Sequence, residues 1–399
     1  MTSSSTAGSA FATVPVDIIP LIASHILSEN LGAFRLVCHA FSTHSLSSFG
    51  RSCLQELTTD LSFASLNRLT QVAQAPHLAH FPKVLLIKAP RIRSGNDERS
   101  LREGCIWIRD NSGAITSPNP GLVTLQKVLL GDNGGGLVNC HDFCVSSDIF
   151  NEAASGRDLL MPTDAVNIVL NMFAAGVCVR SFRLAFRDHG SGELNNQHID
   201  WSICQREEFM RIWSALEDLS LEASLTEETF APLLALTNSA KNVKKLGLRL
   251  ECDYAAEFLR KLSDNDVTQN LEHLSLESFR FNAALLLGTT RSSASSLKKL
   301  ELKSMVLRGA VGWHDIFQEF KVSLINLKTF HASFLFWRSS GNHRITFSGL
   351  RHHQGEDPSF DLRLQFMNWR GLERAFGVSY HGHQMEAALD LLIATMETI

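Results

Sequence analysis

Apolar residues recur along this 399-residue chain in a short template: apolar, two variable, apolar, one variable, apolar. The template is met at Val179-x-x-Phe182-x-Leu184, Leu216-x-x-Leu219-x-Leu221, Val243-x-x-Leu246-x-Leu248, Leu271-x-x-Leu274-x-Leu276 and Leu297-x-x-Leu300-x-Leu302. A weaker copy is Leu327-x-x-Phe330-x-Ala332. Counted from the middle apolar residue, the steps are 37, 27, 28, 26 and 30 residues. The last two apolar positions alternate, as a short strand with one buried face requires. The stretches between copies carry helix signals. Residues 226–237 open with a cap at Thr226 and acidic residues at Glu227 and Glu228, followed by apolar Phe230, Leu233, Leu234 and Leu236. Residues 254–262 and 282–287 fill the same slot. Each unit is thus a strand followed by a helix covering its back, buried only against its neighbours.

The last four steps cluster at the long end of the leucine-rich-repeat range of roughly 20–29 residues, and the template resembles that family. The resemblance implies an α/β fold built as a curved parallel solenoid. Unrelated strand–helix units in an ordinary α/β sheet are the alternative, against which the short strands and the regular period argue. Phe81-x-x-Val84-x-Leu86 and Leu125-x-x-Val128-x-Leu130 also match and read as irregular opening repeats with insertions. Residues 91–103 and the GDNGGG run at 131–136 read as exposed loops. After Ala332 the period dissolves into strand-like stretches at 344–347 and 361–367 around a polar turn at 352–358. A last helix at 384–396 caps the array.

Residues 14–54 have a different pattern, that of three short helices. Pro15 suits a first helical position and Asp17 the positive first turn. Ile18, Leu21, Ile22 and His25 follow helical spacing, and Ser28 is placed to cap a second helix carrying Leu31, Phe34 and Leu36. These residues resemble an F-box, whose pattern is Leu-Pro-x-Glu-Ile-Leu, an apolar helix, a gap, then Leu-x-x-x-Arg-Leu-Val-Cys-x-x-Phe. Here stand Val14-Pro15-x-Asp17-Ile18-Ile19 and Leu31-x-x-x-Arg35-Leu36-Val37-Cys38-x-x-Phe41. Pro20 departs from the pattern and is expected to kink the first helix. The chain is similar overall to fungal F-box proteins with leucine-rich repeats, including the stretch Ala75-Pro76-His77-Leu78-Ala79.

That resemblance implies a non-catalytic substrate receptor of a Skp–cullin–F-box ubiquitin ligase. The N-terminal helices would bind the Skp adaptor, and through it a cullin, using Pro15, Ile18, Ile19, Leu31, Leu36 and Val37. The repeats would hold an unknown protein substrate. Physically, those residues are more apolar surface than a unit of some 40 residues can hide. Two alternatives stay open: the helices pack on the first repeat, or the chain is a repeat scaffold that engages no ligase. The expected division is a disordered leader at 1–12, an F-box-like unit at 13–56 and the solenoid at 57–399, most regular over about 179–333.

Composition narrows the classes. With 37 basic against 41 acidic residues and a net charge of −4, binding to nucleic acid through bulk basicity is not expected. The 8 cysteines are scattered through mostly apolar stretches, as reduced thiols of a cytoplasmic or nuclear protein would be. The longest apolar stretch, 165–179, is interrupted by Asn167 and Asn171, so no membrane span is expected.

No catalytic constellation emerges, and no cofactor or metal is expected. Gly377-Val-Ser379-Tyr-His381 lacks the second glycine of a nucleophile elbow, and GDNGGG lacks the Lys-Ser/Thr of a phosphate loop. Cys140, His141 and Cys144 could ligate zinc only with a second pair at finger spacing, which is missing. His352, His353, His381 and His383 read as solvated turn residues. The variable positions of the strands form the candidate substrate face: Arg183, Glu222, Arg249, Glu277, Glu301 and Lys303 present alternating signs, which suits a polar protein segment.

Overall fold

The computed structural model describes residues 14–88, 120–131, 136–148, 160–187, 199–223, 225–250, 254–265, 267–338, 343–347, 349–350, 361–369 and 372–399. The leader, the 91–103 loop, most of GDNGGG and the 352–358 turn lie outside them.

Four helices open the chain: α1 (Ile18–His25), α2 (Ser28–Arg35), α3 (His39–His44) and α4 (Leu46–Cys53). The sequence pattern suggested three, because the Ser-rich run that forms α3 and α4 carries few apolar markers. Ile19, Ala23, Leu31 and Phe41 form the interior of this head, where Phe34 stacks on Phe41 at 4.6 Å. Pro15 precedes α1 rather than starting it; its carbonyl accepts the N–H of Ile18 at 3.0 Å. Pro20 is the third residue of α1, where helical N–H groups have no intrahelical partner, so its missing N–H costs the helix no hydrogen bond. Ser28 opens α2 without a side-chain cap, the N-cap position being Leu27. Gly50 of α4 meets the ring of Phe81 so closely that any side chain there would collide with it. The head is thereby seated against the segment leading into the sheet.

Beyond the head the chain is mixed α/β, with no closed barrel among the described residues. Nine parallel strands run mostly in chain order across one sheet. They are β1 (Glu56–Thr59), β2 (Val84–Lys88), β3 (Asp142–Asp148), β4 (Ser181–Arg187), β5 (Asp218–Ala223), β6 (Lys245–Leu250), β7 (His273–Glu277), β9 (Lys299–Lys303) and β11 (Thr329–Ser333). Their register aligns the template: Phe143, Phe182, Leu219, Leu246, Leu274, Leu300 and Phe330 form one ladder. Val145, Leu184, Leu221, Leu248, Leu276, Leu302 and Ala332 form the next. Both ladders are fully buried. Behind them lie α5 (Phe63–Gln74), α6 (Pro120–Leu130), α7 (Leu160–Ala174), α8 (Glu207–Trp213), α9 (Glu227–Ser239), α10 (Ala255–Asp264), α11 (Ala283–Ser292), α12 (Trp313–Ser323) and α13 (Met385–Thr395). Thr226 caps α9 as its sequence indicates, accepting from the N–H of Thr229 at 3.2 Å.

Two opening matches to the template are corrected. Leu125, Val128 and Leu130 lie in α6, where Leu125, Val128 and Leu129 are buried. A spacing of three and four satisfies a helix as well as the template. In β2 the inward residues are Leu85 and Ile87, one position out of phase with the match at Val84 and Leu86. At the far end, β14 (Asp361–Trp369) and β15 (Leu372–His381) form an antiparallel hairpin that continues the main sheet through β15 beside β11. Ser379 lies mid-strand in β15, paired on both sides, which is no place for a nucleophile elbow.

A second, smaller sheet flanks the first. After β7, β9 and β11 the chain turns through left-handed residues Ser278, Ser304 and Phe334. It then buries Phe279, Met305 and Leu335 and continues into β8 (Arg280–Asn282), β10 (Val306–Arg308) and β12 (Phe336–Arg338). These three are mutually parallel, and β13 (His343–Thr346) and β16 (Glu397–Thr398) extend them antiparallel. The corner N–H groups of Ser278 and Ser304 donate to the carbonyls of Lys303 and Ser333, so each turn is tied to the unit that follows.

Candidate functional site

The residues between the two buried ladders point away from the helices, and the shared register aligns them in rows across the sheet. One row runs Arg183, Ser220, Gly247, Ser275, Glu301, His331. Its neighbour runs Glu222, Arg249, Glu277, Lys303. All six candidate substrate residues therefore share one face. A cavity of ≈ 400 Å³ opens on it, lined by Arg183, Glu222, Arg249, Glu277 and Lys303 among others. Ser220, Gly247 and Ser275 form its floor, and their small side chains leave the space; a Cβ on Gly247 would stand 3.1 Å from the Ser220 hydroxyl.

The charges on this face are paired. Glu222 is buried and lies 3.0 Å from Arg249 and 3.8 Å from Arg183. Arg249 also reaches Glu277 at 3.1 Å, so it bridges carboxylates from the strands on either side of its own. Glu301 faces His273 at 3.5 Å, Lys299 at 2.6 Å and Lys303 at 2.6 Å. The His273 contact first, then Lys299 and Lys303, outweigh burial and hold its carboxyl well below the usual range. His331 is also held below its ordinary value, first by burial and then by Lys303, which favours the neutral ring.

The row before the middle apolar residue was missed in the sequence. Asp218, Lys245 and His273 line the same cavity, and Lys245 pairs with Asp218 at 3.6 Å. The signal was the strand alternation itself, which puts the residues on both sides of each middle apolar position on the open face.

The head residues divide. Leu36 is 87% exposed, and Val37, Ile18 and Pro15 are exposed with it. Ile19 and Leu31, at 1% and 0%, are interior residues of the head and cannot touch an adaptor while it stays folded. Leu21 and Ile22, which were not assigned, are exposed beside Ile18 on α1. The outcome follows from helical spacing: residues 18, 21 and 22 share one stripe, and residues 19 and 23 occupy the opposite one.

Other candidate groups are dispersed. Cys140 is buried, and burial pushes its thiol up to about 12. His381 hydrogen-bonds Thr329 at 2.8 Å. Among the described residues no group of His, Cys, Asp and Glu side chains is arranged to hold a metal ion, and no helix is long and apolar enough to cross a membrane. No protein-family model and no curated protein matches this chain.

Proposed function

We propose that this protein is a non-catalytic substrate receptor of a Skp–cullin–F-box ubiquitin ligase, its head an F-box and its sheet a curved leucine-rich-repeat solenoid. The apolar surface on the head carries the reading. Ile18, Leu21 and Ile22 on α1 and Leu36 and Val37 after α2 are exposed within one small helical unit. Such a cluster on a polar chain marks a protein contact. The second support is the strand face, a wide polar surface with a cavity of ≈ 400 Å³ and paired charges of both signs, suited to a polar protein segment.

The test is capture of the full chain by purified Skp adaptor, compared with a Leu36→Asp, Val37→Asp variant. Because both side chains are exposed, the variant keeps its far-UV circular dichroism and loses the adaptor. Retained capture refutes the adaptor contact. Failure of the folded parent chain to bind refutes the ligase reading and leaves a repeat scaffold.

A further inference from the structure

A cluster of like charge lies on the smaller sheet, outside the strand face. Its strands carry Arg280, Arg308, Arg338 and Arg344 against one carboxylate, Glu397, in a chain whose net charge is −4. Arg308 and Arg338 are exposed register partners on parallel strands, which holds them about 4.8 Å apart on the same face. Neither has an ion pair or a side-chain hydrogen bond among the described residues. Like charges placed directly opposite destabilise a sheet.

The scaffold nevertheless holds them together. The indole of Trp337 donates to the carbonyl of Gly309 at 3.1 Å and pins the chain beyond Arg308 against β12. Beside the arginine pair runs an apolar strip of half-buried Val306 and Phe336, with the Arg344 guanidinium 5.3 Å from the Phe336 ring centre.

We propose that this side sheet is a docking surface for an acidic protein segment. Its carboxylates would take Arg308 and Arg338 by bidentate pairing, and its apolar side chains would rest on Val306 and Phe336. The basic cluster spans four strands, about 14 Å, and is interrupted by apolar residues. A nucleic-acid backbone would call for a longer continuous basic track. The inference stands independently of adaptor binding by the head.

The test uses the full chain and fluorescence anisotropy with a labelled peptide rich in Glu and Phe, beside labelled single-stranded and duplex DNA. Saturable, salt-weakened peptide binding is expected, reduced by at least about tenfold in an Arg308→Glu, Arg338→Glu variant. An Arg308→Gln, Arg338→Gln variant should melt at the parent's temperature or above it, because the repulsion is gone. Absent peptide binding, binding indifferent to the charge reversal, or tighter binding of DNA at equal salt would overturn the proposal. So would a lower melting temperature for the Gln variant, which would make the pair structural.

Discussion

Replacing Arg249 by Met tests whether the strand face is an organised charge network or a set of solvated side chains. The Arg249 side chain is 24% exposed and lies 3.0 Å from Glu222, itself 8% exposed, and 3.1 Å from Glu277, 32% exposed. Without it, two carboxylates whose oxygens both touch the same Arg249 nitrogen, and so lie within about 6 Å of each other, repel by about 2.8 kcal/mol at an effective dielectric constant near 20. Glu222 would keep Arg183, at 3.8 Å and 52% exposed. Removing one partner of a fully buried pair costs about 3–5 kcal/mol, and the partial exposure here brings the expected loss to about 2–3 kcal/mol. Glu277→Gln should cost only about 0.5 kcal/mol, because Glu277 is a rim charge and Arg249 retains Glu222. The assay is urea unfolding followed by tryptophan fluorescence. An internal control is Glu222→Gln combined with Arg249→Met, which should be more stable than Arg249→Met alone because the stranded carboxylate is gone. Equal losses for Arg249→Met and Glu277→Gln, or a loss below about 1 kcal/mol for Arg249→Met, would refute the network.

Three further outcomes follow from the same geometry. Trp213 packs among Phe173, Phe182 and Phe209 and donates to the Leu236 carbonyl at 2.8 Å. Trp213→Phe should therefore cost about 2 kcal/mol in thermal unfolding, mainly through lost packing, since the Leu236 carbonyl keeps the Ser239 hydroxyl at 2.7 Å, and a loss below about 1 kcal/mol would contradict that packing. Glu301 has its folded-state pKa depressed, so its stabilisation is complete above the ordinary value of 4.5 and drains away as pH falls below it. Glu301→Gln should be less stable than the parent at neutral pH, with the difference closing on acidification; a constant difference would contradict the assignment. Burial pushes both Cys140 and Cys204 up to about 12, whereas Cys38 and Cys178 are exposed. Iodoacetamide at neutral pH should modify Cys38 and Cys178 before Cys140 and Cys204 in peptide mapping, and early labelling of Cys140 would contradict its burial.

The regular part of the sheet was legible because each repeat states its strand twice, once by alternation and once by position in the period. Leu219, Leu246, Leu274 and Leu300 are in register for that reason. Outside the period only local spacing remained, and it misled at Leu125 and Val128, where a helix satisfies the same intervals. The short strands of the side sheet were not read. Arg280–Asn282, Val306–Arg308 and Phe336–Arg338 are three residues each, below the length at which alternation is informative, and their turns use Ser and Phe where glycine would have signalled a left-handed residue. The candidate face was half legible: Arg183, Glu222 and Arg249 came from the rows after the middle apolar residue, and Lys245 and His273 came only with the structure. In the head, helical spacing separated exposed Ile18 from buried Ile19 once the start of α1 was known; that boundary had been blurred by Pro15.

The hairpin of β14 and β15 bears on how long such an array can be. A row of parallel strands offers at its edge a template for one more strand running the same way, whether from a duplicated unit or from a second molecule. β15 occupies that position while running in the opposite direction, and β14 lies outside it. The free side of β11, where a further strand–helix unit would continue the array, is therefore already hydrogen-bonded, and such a unit could be added there only by displacing the hairpin. The protein can thus gain or lose units in its middle, where each neighbour resembles the last, while the hairpin occupies the side of β11 that lengthening by duplication would need and leaves β14, which runs in the same sense as the array, as the outer edge.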